Sequence, residues 1–119
     1  MTTSLMLPPT LTIREGTTDR LIMQLLADDV PIDLAGIHHV ELELRDTRRN
    51  TYHYSSLGSS PKVGILDAIA GKVYLDPPGS LFKQLLSPYL LYWLVYEDAT
   101  TFYSVPEEVE ALILARKNF

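Results

Sequence analysis

The sequence predicts an all-β sandwich, and three observations lead to this fold class. Eight prolines and six glycines recur at short intervals along the 119 residues. The runs of about five to nine residues between them are rich in Val, Ile, Leu, Tyr and Thr, which favour strands. Residues 38–46 alternate apolar and charged side chains from Val40 to Arg45. A period of two over this length is typical of a half-buried strand.

Up to nine strands are predicted between the turns. They cover residues 10–15, 20–26, 38–46, 51–56, 62–67, 71–77, 89–97, 100–106 and 108–116. The chain length favours one domain. We therefore expect residues 10–119 to form a single sandwich of about seven to nine mostly antiparallel strands, after an N-terminal extension over residues 1–9.

One short helical link is expected over residues 77–88. Ser80 is a suitable N-cap for a turn of helix, and Leu81, Phe82 and Leu85 would then face inward. Pro88 ends the segment, because the residue before a proline disfavours helical backbone.

The segment before the 38–46 strand is predicted to be a structural turn. Asp33 is expected to accept hydrogen bonds from backbone N–H groups, and Ile32 and Leu34 on either side of it are expected to be buried. Gly36 would allow the chain to change direction sharply before the strand begins.

The composition argues against several classes of protein. The chain has no cysteine, which excludes disulfides, thiolate nucleophiles and cysteine zinc ligands. A net charge of −5 with scattered basic residues argues against nucleic-acid binding. The start of the chain, MTTSLMLPP, lacks the features of a signal peptide. The most apolar run, residues 85–96, is shorter than the roughly 20 residues of a membrane span and contains Pro88, so we expect no membrane insertion.

The histidines do not form a recognisable metal motif. His38 and His39 are adjacent and are expected to point to opposite faces of a strand. His39 and His53 can approach across a hairpin, with Glu41 beside them, but the spacing matches no zinc signature. We therefore predict no metal site and expect His39 and His53 to be exposed on a solvated sheet face.

The carboxylates and serines do not predict catalysis either. Asp28, Asp29 and Asp33 lie in one loop but lack the calcium-loop pattern, so a turn is the better interpretation. A pair of catalytic carboxylates can be drawn only formally, and nothing in the sequence sets its separation. The residues available for such a pair are Asp67, Asp76 and Glu97. Neither a serine-nucleophile motif nor a phosphate-binding glycine loop occurs. We therefore predict no catalytic residue and no cofactor.

Two predicted strands are apolar on both faces. A sandwich strand needs only one apolar face, so the second face is either covered by the 77–88 link or another loop, or is a partner surface. The residues predicted for this interface are Leu90, Tyr92, Leu94, Tyr96, Leu112 and Leu114.

Residues 14–46 and 71–116 resemble the N-terminal immunoglobulin-like domain of phage baseplate upper proteins and related phage tail modules. The similarity lies in glycine turns, an Ile-Asp-Leu segment, alternating strands and an aromatic strand near the end. The matching residues are Gly16, Thr17, Pro31, Ile32, Asp33, Leu34, Gly36, Val40, Leu42, Leu44, Arg45, Gly71, Val73, Leu75, Pro78, Tyr89, Leu91, Trp93, Val95, Tyr103, Ser104, Pro106 and Ile113.

This resemblance covers roughly residues 10–116 and implies an immunoglobulin-like β-sandwich. It also implies a non-enzymatic structural component of the phage virion, in the tail or baseplate, made in the host cytoplasm. Such a protein would pack against other tail proteins or anchor a fibre, and would form a homo-oligomer within a symmetric assembly.

Two other functions stay open. The first is a carbohydrate-binding module on the same fold, in which Tyr52, Tyr54 and Tyr92 stack against sugar rings. The second is an enzyme, for which the sequence offers no nucleophile, base or metal cluster. Saturable sugar binding would separate the first from a pure assembly protein.

Overall fold

The computed structural model describes residues 3–6, 12–107 and 111–116, and it is an all-β sandwich of two sheets. A single turn of 3-10 helix, Gln84–Leu86, precedes β9. The predicted fold class is confirmed. The strands are β1 (Thr3–Met6), β2 (Thr12–Arg14), β3 (Leu21–Ala27), β4 (Val30–Pro31), β5 (His39–Arg45), β6 (Thr51–Ser55), β7 (Val63–Asp67), β8 (Lys72–Leu75), β9 (Tyr89–Tyr96), β10 (Phe102–Val105) and β11 (Ala111–Arg116).

The strand order within each sheet identifies the topology. The first sheet runs β1-β3-β8-β7, with β4 also paired to β3. The second sheet runs β2-β11-β9-β5-β6, with β10 also paired to β9. All described pairs are antiparallel except β2 with β11. This is the arrangement of immunoglobulin domains. In their lettering, β1-β3-β8-β7 corresponds to strands A, B, E and D, and β11-β9-β5-β6 corresponds to G, F, C and C′.

The core lies between the two sheets and follows strand alternation. Each inner strand contributes every second side chain to it. The largest fully buried side chains come from both sheets, from Met23 and Leu25 on β3 and from Leu42, Leu91 and Trp93 on β5 and β9. The apolar positions of the predicted 38–46 strand are therefore its inner face.

The segment 77–88 departs from the predicted helix. Residues 79–81 form a turn closed by a hydrogen bond from the Leu81 N–H to the Pro78 carbonyl at 3.0 Å, and a separate 3-10 turn follows at Gln84–Leu86. Lys83, not Ser80, precedes the 3-10 turn, without a side-chain cap. Leu81 and Phe82 are buried as predicted, but the prediction that Leu85 faces inward is wrong, since it is 77% exposed. A turn of only three residues cannot bring Leu81 and Leu85 to one face.

Tyr89 anchors this segment beneath the core. Its hydroxyl donates to the carbonyl oxygen of Leu81 at 2.8 Å and accepts from the backbone N–H of Lys83 at 2.9 Å. Phe82 packs edge-on against the Tyr89 ring. A tyrosine at the start of strand F that bonds back to upstream backbone is a hallmark of immunoglobulin-like sandwiches.

Two strands lie outside the predicted set. β1 falls within the predicted extension over residues 1–9, yet it pairs with β3 from Thr3 opposite Ala27 to Met6 opposite Gln24. β4 is a two-residue strand that pairs with the end of β3. Neither has a periodic pattern long enough to predict a strand, and both form because β3 offers free edges.

The segment before β5 has the geometry of a tight turn. The Asp33 side chain accepts a hydrogen bond from the backbone N–H of Ala35 at 2.9 Å, and Gly36 adopts a φ of +80°. Ile32 and Leu34 are buried on either side of Asp33. This turn connects β4 in the first sheet to β5 in the second.

Candidate functional site

The outer face of the second sheet gathers most of the residues that the sequence singles out. On β9, every second residue from Tyr89 to Val95 is fully buried in the core, so Leu90, Tyr92, Leu94 and Tyr96 point outward. We define the outer face by the side chains that share this side of the sheet. They are His39, Glu41, Glu43, Arg45, Thr51, His53, Ser55, Leu90, Tyr92, Leu94, Tyr96, Phe102 and Ser104.

The predicted interface residues are partly covered on this face. Leu94 is only 8% exposed, while Leu90, Tyr92 and Tyr96 are half-buried. Leu81 and Phe82 of the 77–88 segment are buried in the core between the sheets. On the neighbouring strand, Arg45, Glu43 and Glu41 lie directly opposite Leu90, Tyr92 and Leu94.

The remaining two predicted interface residues lie on β11. The backbone of Leu112 is opposite Leu90, and that of Leu114 is opposite Thr12. Their side chains lie outside what the structure describes.

His39 is a central residue of the outer face. It is only 6% exposed, and its ring stacks on Tyr96 with 4.2 Å between the ring centroids. Its Nε2 lies 2.7 Å from Glu41 Oε2, and its Nδ1 lies 2.7 Å from His38 Nδ1. Two predictions are therefore wrong. His39 is not exposed, and His38 does not point away from it, because His38 precedes β5 and is not bound by strand alternation.

Glu41 joins two histidines, as the hairpin geometry suggested. One carboxylate oxygen contacts His39, and the other lies 2.7 Å from His53 Nε2. His53 Nδ1 lies 3.2 Å from Glu43 Oε1, and the Tyr92 hydroxyl donates to the other oxygen of Glu43. The result is a continuous polar network across strands β6, β5 and β9.

The strand register explains why these residues meet. Glu43 is directly opposite His53 on one side and Tyr92 on the other, and His39 is opposite Tyr96. Directly opposed side chains in antiparallel strands have Cβ atoms about 4.5–5.5 Å apart. The network is therefore a consequence of pairing, which a linear pattern does not contain.

Both ring nitrogens of His53 face carboxylate oxygens of β5, at 2.7 Å from Glu41 and 3.2 Å from Glu43. Tyr96 borders the same two glutamates at the other side of the network. Burial, followed by the charges of Glu41 and Glu43, raises the pKa of Tyr96, so this hydroxyl stays neutral beside them.

The polar network is not arranged as a metal centre. Its histidines and glutamates bond to one another directly and do not surround an open position. Among the side chains that the structure describes, no three His, Asp or Glu residues are placed to hold a metal ion.

The three aspartates of residues 28–33 belong to two separate turns. Asp28 and Asp29 have φ values of +50° and +64° and connect β3 to β4 as a two-residue hairpin. Two successive positive φ values are typical of a type I′ turn, which Asp tolerates. Asp33 bonds to the backbone of Ala35 in the next turn.

The formal carboxylate pair is not assembled. Asp67 closes the β7–β8 turn, where it accepts from the backbone N–H of Ala70. Asp76 lies at the other end of that hairpin, in a bidentate ion pair with Arg20 at 2.8 and 2.9 Å. The hydrogen bonds from Arg20 lower the pKa of Asp76, which suits a structural ion pair.

The three tyrosines proposed for sugar stacking do not share a face. Tyr52 and Tyr54 pack against the core from the inner side of β6, while Tyr92 is on the outer face. Burial, followed by the hydrogen bond to Asp46, raises the pKa of Tyr52 to about 12. A flat sugar cannot stack on all three rings at once.

Two contacts at the outer face were not predicted from the sequence. Phe102 is 52% exposed and its ring centroid lies 4.8 Å from that of Tyr96. His38, directly before β5, contacts His39. The turn over residues 97–101 indicates the contact between Phe102 and Tyr96, because it places the start of β10 beside the end of β9.

A comparison of the sequence with protein-family models and with curated proteins finds no match. Within the part of the chain that the structure describes, no helix is long and apolar enough to cross a membrane. The findings support an immunoglobulin-like β-sandwich that carries a hydrogen-bonded His–Glu–Tyr network on one outer sheet face.

Proposed function

We propose that this protein is a non-enzymatic structural component of a phage virion, in the tail or baseplate, which docks against other tail proteins through the outer face. The observation that carries this proposal is the row of apolar and aromatic side chains on the outer side of β9. It consists of Leu90, Tyr92, Leu94 and Tyr96, and the exposed Phe102 extends it.

The polar network makes this face easier to bury. A buried polar group is costly when it loses its hydrogen bonds, and each network member already has a partner on the same face. Glu41, for example, contacts a histidine through each carboxylate oxygen. Tyrosine is also enriched at protein interfaces, because it combines a large apolar ring with a polar tip.

The resemblance to phage tail modules supplies the biological context. Three of its matching glycines, Gly16, Gly36 and Gly71, occupy positive-φ positions in turns between strands. These residues support the sandwich. They do not identify a partner, so the tail or baseplate role rests on the resemblance together with the outer face.

The first test is the presence of the protein in particles. Tagged protein is expressed during infection by the phage that encodes it, and purified virions are analysed by mass spectrometry and gold labelling. We expect a fixed copy number at the tail or baseplate. Absence from intact particles would overturn the proposal.

The docking face is tested with charge variants. Phe102→Glu and Leu94→Glu place a carboxylate on the outer face and should abolish incorporation into the particle. Phe102 is the safer site, because 52% exposure lets the monomer keep its fold. Ile69→Glu is the matched control, since Ile69 is 77% exposed in the β7–β8 turn. Normal incorporation of folded Phe102→Glu protein would rule out this face.

A further inference from the structure

β6 is an open edge of the second sheet. It is the last strand in the sheet order, and among the described residues it pairs with β5 alone. A strand edge carries backbone N–H and C=O groups on its open side, which can pair with another strand.

The other edges carry features that hinder pairing. β2 and β4 have three and two residues, and β4 contains Pro31. β1 and β10 have four residues each, and the hydroxyl of Thr3 on β1 donates to the Ser104 carbonyl on β10. β7 has an irregular register between Ile65 and Asp67. Short strands, prolines and bulges are the devices that block edge-to-edge association.

β6 has none of these devices. Its five residues, TYHYS, include no proline, glycine or lysine, and its pairing with β5 is regular throughout. Thr51 and His53 are exposed along it. It is the longest regular edge among the described strands.

The hydrogen-bond pattern shows which backbone groups face outward. Asp46 N–H bonds to the Asn50 carbonyl and Ser56 N–H bonds to the Val40 carbonyl. Hydrogen-bonded pairs alternate along an antiparallel ladder, so residues 52 and 54 bond to β5. The backbone groups of Thr51, His53 and Ser55 consequently point to the open side.

We propose that two copies of this chain pair edge to edge through β6, antiparallel about a two-fold axis, so that their second sheets form one continuous sheet. Isologous pairing of this kind gives a closed dimer. The proposal goes beyond the docking function above, because it identifies a second copy as the partner and uses the edge, not the outer face.

The register of the two β6 strands is the one that forms the most backbone hydrogen bonds between the copies. Centring the pair on His53 places Thr51 opposite the partner's Ser55 and uses all three outward-facing residues. This register forms about six backbone hydrogen bonds, whereas centring on Tyr52 or Tyr54 forms about four. The two His53 side chains then lie side by side, and each keeps its contacts with Glu41 and Glu43 of its own copy.

A proline scan of the edge tests the backbone pairing. His53→Pro removes an N–H that points to solvent in the monomer, a position at which an edge strand tolerates proline. His53→Ala is the matched control, which removes the same side chain but keeps the N–H. In sedimentation velocity at increasing concentration, wild type and His53→Ala should form a reversible dimer. His53→Pro should raise the dissociation constant at least tenfold, with an unchanged circular dichroism spectrum.

A cysteine pair tests the register. The chain has no cysteine, so any disulfide comes from the substitution. His53→Cys places two Cα atoms about 5.5 Å apart across the axis, within disulfide range. Thr51→Cys places them about 13 Å apart, which is too far. Under mild oxidation, only His53→Cys should form a covalent dimer.

The outcomes separate this inference from the proposed function. A wild type that stays monomeric, a His53→Pro dimer as tight as wild type, or equal crosslinking of both cysteine variants would each overturn the edge pairing. None of these results affects the docking proposal, which depends on incorporation of the outer-face variants into particles.

Discussion

Trp93 on β9 donates a hydrogen bond from Nε1 to the sulfur of Met23 on β3, at 3.4 Å. Both side chains are buried, and the contact connects the two sheets at the centre of the core. β3 and β9 correspond to the two strands that a disulfide joins in antibody domains. In this cysteine-free chain a tryptophan–methionine contact spans the same two strands.

Removal of the Trp93 ring should be severely destabilising. Trp93→Ala leaves a large cavity between the sheets, and we expect a loss of about 3–5 kcal/mol in the free energy of unfolding. Met23→Leu conserves volume and should cost less than about 1.5 kcal/mol. Urea denaturation followed by circular dichroism measures both. A Trp93→Ala loss below that of Met23→Leu would contradict a central role for the ring.

Asp46 should make stability depend on pH. It is 4% exposed and accepts bonds from the N–H groups of Arg48 and Asn50, the Asn50 side chain and the Tyr52 hydroxyl. Burial alone would raise the pKa of Asp46, but these hydrogen bonds outweigh it and lower the pKa. The ionised form therefore stabilises the fold above the unfolded-state pKa of about 3.9, and this contribution is lost as pH falls through the lower folded-state pKa.

The matching substitution is Asp46→Asn. It weakens several charge-assisted bonds of about 1.5–3 kcal/mol each, and we expect a net loss of about 2–4 kcal/mol at pH 7. The difference in unfolding free energy between wild type and Asp46→Asn should narrow progressively as pH falls from the unfolded-state pKa of about 3.9 towards the lower folded-state pKa of Asp46. Urea titrations at pH 7 and pH 3 test this. A gap that is unchanged at pH 3 would mean that the charge of Asp46 is not what stabilises the turn.

Gly71 should tolerate no side chain. Its φ is +67°, and an added Cβ would lie 2.7 Å from the carbonyl oxygen of Ile32 and 2.8 Å from that of Leu25. Gly36 is a matched control, because its φ is +80° but nothing lies within 4 Å of an added Cβ. Gly36→Ala should cost about 1–2 kcal/mol from backbone strain alone, and Gly71→Ala should cost more. Equal thermal shifts for the two variants would exclude the backbone clash.

His39 and His53 should differ in their effect on stability. His39 is buried and stacked on Tyr96, whereas the His53 side chain is 45% exposed. His39→Ala removes a stacked ring and leaves Glu41 with a missing partner, so we expect a loss of about 2–3 kcal/mol. His53→Ala breaks only solvent-screened pairs and should cost at most about 1 kcal/mol. Chemical denaturation at pH 7 compares them, and a larger loss for His53→Ala would contradict this ranking.

Much of the strand and turn arrangement was predictable, because these features are local. The alternation from Val40 to Arg45 predicted β5, and Asp33 and Gly36 predicted the turn before it. The prediction of a helix over residues 77–88 is wrong. Leu81 and Leu85 have helical spacing, but Leu81 ends one turn and Leu85 lies in another, and the Tyr89 hydroxyl bonds to the backbone of Leu81 and Lys83 between them.

The residues of the outer face were only partly predictable. The approach of His39, Glu41 and His53 was foreseen as a consequence of a hairpin. The contact between His38 and His39 was not, because alternation predicts opposite faces and applies only within a strand. Both faces of β9 are apolar, so periodicity had no means of choosing the buried one.

The all-β class, the positions of nine strand segments and the lack of cysteine follow from the sequence alone. These depend on side-chain periodicity and on the φ preferences of individual residues, which act over a few positions. Tertiary contacts set the rest: Tyr89, Leu91, Trp93 and Val95 are the core-facing side of β9, β1 pairs in the first sheet and β2 in the second, and β6 is an open edge. Those outcomes depend on register and on the stacking of two sheets, which are set by contacts between residues far apart in the chain.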